Sequence, residues 1–70
     1  MTDHHINIFY SDEDGGYIAV IPDLESCSAF GATPQEALAE VLRAKEAWLA
    51  AARERGHPIP EPQYQPPLHA

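Results

Sequence analysis

The chain has 70 residues and a formal net charge of −7. One domain is expected at this length, and such a chain buries only about 60% of the surface that its unfolded form exposes, so its core is thin. The single cysteine, Cys27, excludes an intramolecular disulfide, and no cysteine or histidine spacing is typical of a structural zinc site. Self-association or a bound partner is therefore the expected support, with an unusually well-packed core as the alternative.

The charges are unevenly distributed along the chain. All four basic residues lie between positions 43 and 55, whereas residues 1–42 contain eight acidic residues and no lysine or arginine. Such a surface repels phosphate, which argues against direct binding of nucleic acid, and it attracts a basic partner. A purely solubilising role for the acidic residues is equally compatible with the composition.

The sequence carries no targeting or membrane signal. No stretch reaches the ~18 consecutive apolar residues that a membrane span requires. Residues 1–5 contain neither a lysine or arginine nor an apolar segment, so they do not form a signal peptide. We therefore expect a cytoplasmic protein.

Two strands joined by a tight turn are predicted first. Residues 5–10 alternate between the two faces of a half-buried strand. The turn at residues 12–16 ends in Gly-Gly, which supplies the positive φ that hairpin turns require. Residues 17–21 are apolar almost throughout, which predicts a strand covered on both faces, and Pro22 ends it.

A third strand and a long helix follow. The strand is predicted over residues 27–32, whose small side chains on one face allow the helix to approach closely. The helix starts after Thr33, an N-cap whose hydroxyl accepts a backbone N–H, with Pro34 in the first position and Glu36 completing a capping box. It is predicted to end before Gly56, a left-handed stop.

The second half of the chain combines an apolar helix face with a proline-rich tail. The face has the 3.6-residue spacing of a core stripe, and an interface role is its second interpretation. Its members are Leu38, Val41, Leu42, Lys45, Trp48, Leu49 and Ala52. Five prolines favour an extended path beyond residue 57. The composition leaves open whether this tail packs back through Ile59 and Tyr64 or is frayed.

No motif for catalysis or cofactor binding is found in the sequence. Cys27, His57 and an acid lack the supporting motif of a nucleophilic site, and a strand cysteine is usually a small buried residue. The acids at residues 12–14 lack the further ligands of a calcium loop, and the strand neighbours His4 and His5 point to opposite faces. We therefore expect no catalytic residue, metal or cofactor, and two exposed, unengaged histidines.

An ordered set of short segments carries a resemblance to a known family. The segments are residues 8–10, 12–17, 18–24, Cys27, 30–31, Thr33, 36–38 and 58–62. The Gly-His-Pro-Ile-Pro-Glu-Pro ending at residues 56–62 makes the set fairly specific. In this order, over about residues 6–62, the chain resembles the N-terminal domain of HicB-family antitoxins.

The resemblance implies both a fold and a partner. The fold is α+β and partial RNase H-like: a three-stranded antiparallel meander with one long helix packed on it, and optionally a short fourth strand in the tail. Residues 1–62 form the HicB-like domain and residues 63–70 a proline-rich tail. The family forms dimers or higher oligomers such as tetramers and binds HicA, a small basic toxin that cleaves mRNA. Many members also carry a DNA-binding domain, and we expect none in this chain.

Acidic and aromatic residues are the expected contacts. The expected toxin-binding residues are Asp12, Glu13, Asp14, Tyr17, Asp23 and Glu25. The expected oligomer interface contains Trp48 and Phe30. Two alternatives stay open, a free-standing oligomeric binding module with an unknown ligand and a metal-dependent nuclease that uses acids of the sheet.

Overall fold

The fold is an antiparallel sheet with one helix packed on it. The computed structural model describes residues 3–65. Three strands, β1 (Asn7–Ser11), β2 (Gly16–Val20) and β3 (Ser28–Gly31), form a sheet in the order β1-β2-β3, and helix α1 (Pro34–Arg55) packs against one face. The predicted α+β meander with one long helix is confirmed. Within the described part of the tail, which ends at Gln65, the optional fourth strand is not formed.

The β1–β2 turn has the glycine geometry that the sequence predicts. The Gly15 N–H donates to the Ser11 carbonyl oxygen at 2.9 Å. Gly15 has a φ of 69°, a left-handed conformation that glycine adopts without steric cost. The turn thereby brings Gly16, the first residue of β2, opposite Ser11, the last residue of β1.

The β2–β3 connection belongs to the core. Ile21, Leu24 and Cys27 have 0%, 2% and 3% of their surfaces exposed. The Ile21 N–H donates to the Cys27 carbonyl oxygen at 3.0 Å, and the N–H groups of Leu24 and Cys27 close two further turns. Because Ile21 bonds within this connection, β2 ends at Val20, one residue earlier than predicted.

Helix α1 approaches β3 most closely at Gly31. A Cβ atom added to Gly31 would collide with the Ala37 backbone nitrogen and would lie 2.7 Å from the Glu36 carbonyl carbon. The predicted close approach of the helix is therefore confirmed, and it depends on the missing side chain. The buried cluster around this contact consists of small and medium-sized side chains. Its members are Ala19, Ile21, Leu24, Cys27, Ala37 and Val41.

The Thr33 and Gly56 caps of α1 form as predicted, but the Glu36 side chain makes no hydrogen bond to the Thr33 N–H, so the predicted capping box is not completed. Thr33 is extended, with φ −129° and ψ 161°, and its hydroxyl oxygen accepts the Glu36 N–H at 3.1 Å. At the other end, Gly56 has a φ of 69°, and the His57 N–H donates to the Ala52 carbonyl oxygen at 2.8 Å. Among the described residues, no helix has the length and apolar character needed to cross a membrane.

The helix face that enters the core is the predicted one only in part: Val41, Trp48 and Ala52 pack there as predicted, whereas two of the predicted leucines do not. Leu38 and Leu42 keep 37% and 44% of their surfaces exposed. The side chains that are buried or pack on the core are mostly alanines: Ala37, Val41, Ala44, Trp48 and Ala52. Because the helix backbone lies so close to Gly31, short side chains fit beneath it and the longer leucines lie on the flank.

Strand β2 is covered on one face only, so the prediction of two covered faces is wrong. Ala19 faces α1 and is fully buried, whereas Ile18 and Val20 on the other face are half-buried. Helix α1 lies mainly over β3 and β2, and Ile8 of β1 keeps 38% of its surface exposed. The apolar character of β2 is therefore explained by its central position in the sheet, between β1 and β3, and not by cover on both faces.

The tail packs back on the domain and engages both histidines. The ring centroids of His5 and Tyr64 are 4.9 Å apart, and His5 Nε2 lies 2.7 Å from Asn7 Oδ1. His4 Nε2 lies 2.7 Å from the Pro60 carbonyl oxygen, so it carries the donating hydrogen. The expectation of unengaged histidines is wrong because the returning tail provides a partner for each ring.

The substitution Gly31→Ala is expected to lower the free energy of unfolding by about 2–3 kcal/mol, because a Cβ atom forces the strand and helix backbones apart. Urea unfolding followed by circular dichroism measures the change. Ser28→Ala, at an exposed position of the same strand, is the control and is expected to change the value by less than about 0.5 kcal/mol. Equal effects of the two substitutions would contradict a close approach at Gly31.

Candidate functional site

Four acidic residues gather at one end of the molecule, which we name the acidic pole. Asp12, Glu13 and Asp14 lie in the β1–β2 turn and Glu36 lies in the first turn of α1, and all four are exposed. The register explains the grouping, because the start of β2 pairs with the end of β3 and α1 begins three residues later. Sequence reasoning misses Glu36 as a contact residue, although the predicted meander and N-cap already place it at this end.

The turn that carries three of these carboxylates is held by its own hydrogen bonds. The Ser11 hydroxyl donates to Asp14 Oδ2 at 2.9 Å and accepts the Asp14 N–H at 3.3 Å. These contacts fix Asp14, while Asp12 and Glu13 are exposed and form no ion pair with any described residue. A preformed turn loses less conformational freedom on binding than a flexible loop does.

Two tyrosines adjoin the acidic pole on the helix side of the sheet. Tyr10 and Tyr17 are direct neighbours across β1 and β2, with ring centroids 5.3 Å apart and ring planes at 74°. Tyr17, the predicted contact residue, packs against the core, whereas Tyr10 keeps 55% of its surface exposed. Tyr10 is therefore the accessible member of the pair. Its position next to the acidic turn is the feature of the sequence that could have identified it as a contact residue.

Asp23 and Glu25 lie beyond the opposite end of β2, whose five residues span roughly 15 Å. The Asp23 carboxylate accepts the Gln63 N–H at 3.2 Å and the Tyr64 N–H at 3.1 Å. The Glu25 carbonyl oxygen accepts the Trp48 Nε1–H at 2.9 Å. The six predicted toxin-binding residues therefore fall into two separate groups, and Asp23 anchors the tail.

An open cleft of about 560 Å³ lies at this second end of the molecule, between the last turns of α1 and the tail. Trp48, Pro58 and Pro60 supply apolar lining. Arg55 contributes a positive charge, and Asp23 and Glu25 contribute negative ones. Because cationic and anionic side chains are mixed here, this end attracts a basic protein less than the acidic pole does.

The two residues predicted at an oligomer interface have different surroundings. Phe30 lies on the sheet face away from α1 and keeps 47% of its surface exposed. Trp48 is half-buried, packs against the core and uses its Nε1–H in the hydrogen bond to Glu25. Exposure therefore makes Phe30 accessible to a second chain, and the role of both residues in self-association stays a prediction.

Comparison with known proteins identifies a relative. The chain is 36% identical over 53 residues to UPF0150 protein ssl0259 of Synechocystis sp. (strain ATCC 27184 / PCC 6803 / Kazusa), and the match covers 76% of this chain and 73% of the relative. The chain belongs to the UPF0150 family. No protein-family model matches the chain, and no solved structure matches it.

The thiol of this UPF0150 protein is poorly placed for nucleophilic catalysis. Cys27 is 3% exposed, and burial raises the pKa of its thiol above the ordinary value, an effect that the Lys45 ammonium partly offsets. A thiol with a raised pKa is protonated at neutral pH, and the protonated form is a poor nucleophile. Within residues 3–65, no group of three or more His, Cys, Asp or Glu side chains is placed to hold a metal ion. Asp12 and Asp14, the acids on which the nuclease alternative depends, both lie in the exposed β1–β2 turn.

In Asp23→Ala, the Gln63 and Tyr64 amide hydrogens are expected to exchange with solvent about 10-fold faster, because both N–H groups lose their acceptor. Hydrogen exchange followed by NMR measures these rates. The control Glu25→Ala removes the same charge but keeps the carbonyl acceptor of Trp48, and we expect rates within about 2-fold of the parent protein. Similar acceleration in both variants would argue against anchoring by the Asp23 carboxylate.

Proposed function

We propose that this UPF0150 protein is a HicB-type antitoxin that binds and neutralises a small basic HicA-type toxin. The observation that carries the proposal is the acidic pole, where exposed carboxylates lie on a fixed turn within a region that lacks lysine and arginine. The resemblance of the sequence to HicB N-terminal domains supports it. The protein acts by binding rather than by catalysis, and it acts in the cytoplasm, where the toxin meets mRNA.

The acidic pole attracts a basic partner before contact. The acidic pole places four negative charges at one end of the molecule, those of Asp12, Glu13, Asp14 and Glu36. Together these charges raise the rate at which a basic protein associates. Salt screens exposed charges over about 8–10 Å at physiological ionic strength, so binding weakens as salt rises. A toxin that cleaves RNA needs a basic surface for phosphates, and the pole covers that surface by presenting carboxylates to it.

Tyr10 adds an apolar contact beside the carboxylates. The Tyr17 ring packs edge-on against the exposed Tyr10 ring. The Tyr10 side chain therefore loses little conformational entropy when it binds a partner. Tyrosine is enriched among the interface residues that contribute most to binding. The proposed contact therefore centres on Tyr10, with Asp12 and Glu13 at its edge.

The alternative function is that of a free-standing binding module, and the cleft beside Trp48 is the observation that favours it. Apolar lining together with the charges of Arg55 and Asp23 suits a small ligand that combines apolar and charged groups. Such a ligand lacks the large positive surface of a toxin, so its binding depends less on salt. Ionic strength therefore separates the two functions.

The double variant Asp12→Asn/Glu13→Gln is expected to weaken binding of the basic toxin at least ~10-fold at low salt, mainly through slower association. The fold stays intact because the hydrogen bonds between Ser11 and Asp14 remain. Surface plasmon resonance measures both rate constants, with the small basic protein that is isolated together with the tagged chain as the analyte.

The control for this experiment is Glu46→Gln/Glu54→Gln, which removes the same charge from exposed positions of α1 outside the acidic pole. We expect it to weaken binding by less than about 3-fold. Equal losses in the two double variants would show that net charge, rather than the acidic pole, governs binding.

Isolation of the tagged chain from its source cells at low and high salt tests whether such a partner exists. We expect a small basic protein at low salt that mass spectrometry identifies and that high salt releases. Recovery of this chain without a basic protein at both salt concentrations would contradict the antitoxin function.

A further inference from the structure

The cleft between the last turns of α1 and the tail has the size of a small-ligand site. Its volume is about 560 Å³, within the roughly 300–1,000 Å³ of typical ligand pockets. Trp48 of α1 and Pro58 and Pro60 of the tail give it apolar surface, which is the kind of lining that holds the body of a ligand. We name this space the tail cleft.

The apolar lining of the tail cleft is held in place by hydrogen bonds. On the helix side, the Trp48 Nε1–H donates to the Glu25 carbonyl oxygen at 2.9 Å. On the tail side, the Pro60 carbonyl oxygen accepts from His4 Nε2 at 2.7 Å, and the Asp23 carboxylate accepts two backbone N–H groups. Because the chain's own groups hold both sides, a ligand that enters the cleft orders little that is not already ordered.

Opposite charges line the tail cleft without neutralising each other. The Arg55 guanidinium forms no ion pair with any described residue, and the Glu25 carboxylate accepts no hydrogen bond from one. Asp23 also lines the cleft, but its carboxylate is occupied by the tail N–H groups, and His57 is the remaining titratable lining residue. Arg55 and Glu25 are therefore available to a ligand that carries both a carboxylate and an ammonium group.

The spacing of these two charges selects the length of the ligand. Glu25 lies beside Trp48, and Arg55 follows Trp48 by about two helical turns, or roughly 10 Å along the axis. The ammonium and carboxylate of a single amino acid are bonded to the same carbon atom and span much less than this. An extended peptide advances about 3.3–3.6 Å per residue, so the termini of a tripeptide lie roughly 10 Å apart.

Ser26 lines the tail cleft in a strained conformation. Its φ of 60° lies in the left-handed region, which a residue with a side chain adopts at a cost in free energy. No other non-glycine residue of the described chain has a positive φ. Strained backbone of this kind clusters at functional sites. Ser26 is exposed, and its hydroxyl supplies both a donor and an acceptor for the peptide groups of a ligand.

We propose that the tail cleft binds a tripeptide with free termini and an apolar central side chain. The ligand ammonium contacts the Glu25 carboxylate, the ligand carboxylate contacts the Arg55 guanidinium, and the apolar side chain packs against Trp48 and Pro58. This site is additional to the antitoxin function and does not rest on it, because the cleft and the acidic pole lie at opposite ends of β2. For the alternative function, it specifies the class of ligand.

Titration of the full chain with the peptide Ala-Phe-Ala tests the proposal. The fluorescence of Trp48, the single tryptophan of the chain, reports occupation of the cleft directly. We expect a saturable change with a dissociation constant of about 0.1–1 mM. The N-acetylated and the C-amidated peptides are each expected to bind at least ~5-fold more weakly, because each lacks one of the two terminal charges.

Substitutions at the two charged residues separate this site from a nonspecific apolar contact. Arg55→Gln and Glu25→Gln are each expected to weaken binding of Ala-Phe-Ala at least ~5-fold. Glu25→Gln keeps the carbonyl oxygen that accepts the Trp48 Nε1–H, so the cleft stays formed, and circular dichroism verifies that each variant folds. Arg53→Gln and Glu54→Gln make the same changes at exposed positions of α1 that do not line the cleft, and we expect losses below about 2-fold.

The proposal would be overturned by the absence of a saturable signal up to about 10 mM peptide, or by an equally strong signal from a peptide blocked at both ends. An effect of only one blocking group, or equal losses in the cleft variants and their controls, would overturn it as well.

Amide exchange of the tail gives a second readout. The Gln63 and Tyr64 amide hydrogens are expected to exchange more slowly in the presence of the peptide, because the ligand packs against the tail. Unchanged exchange would place the peptide elsewhere and contradict the proposal. The Asp12→Asn/Glu13→Gln variant should bind the peptide like the parent chain, so failure of the antitoxin function leaves this site measurable.

Discussion

The closeness of α1 to Gly31 constrains the rest of the molecule. With helix backbone against strand backbone, the space between the layers admits short side chains, and the largest fully buried ones are Ile21, Leu24 and Val41. The resulting core is thin and centred on β3 and β2. The single helix also leaves Tyr10 of β1 and the sheet face away from α1 in contact with solvent.

The surfaces left uncovered differ sharply in chemistry. One end of the sheet carries carboxylates on a hydrogen-bonded turn, the far end mixes both charges around a cleft, and the face away from α1 has apolar rings. The three surfaces of this small domain therefore suit contacts of different kinds. Electrostatic attraction favours a basic protein at the acidic turn over the other two surfaces.

Caps, turns and the close approach of the helix to the small side chains of β3 could be predicted from the sequence, whereas the helix face that this approach admits and the contacts of the tail could not. Thr33, Gly15 and Gly56 act through local geometry, and all three behave as predicted. The choice between the leucine flank and the alanine stripe of α1 depends on how near the helix lies to the sheet, which periodicity does not reveal. The acidic turn is likewise local, whereas the partners of Asp23 lie 40 and 41 residues further along the chain.

The bonds between Asp23 and the tail also set the direction in which the chain leaves the domain. Gln65, the last described residue, follows directly after this anchor, at the end of the sheet remote from the acidic turn. A reporter, an affinity tag or a second folded module joined beyond this point starts on the far side from the carboxylates. The fold thus separates the place where cargo can be attached from the acidic turn, where we propose that a basic protein docks, so that neither obstructs the other.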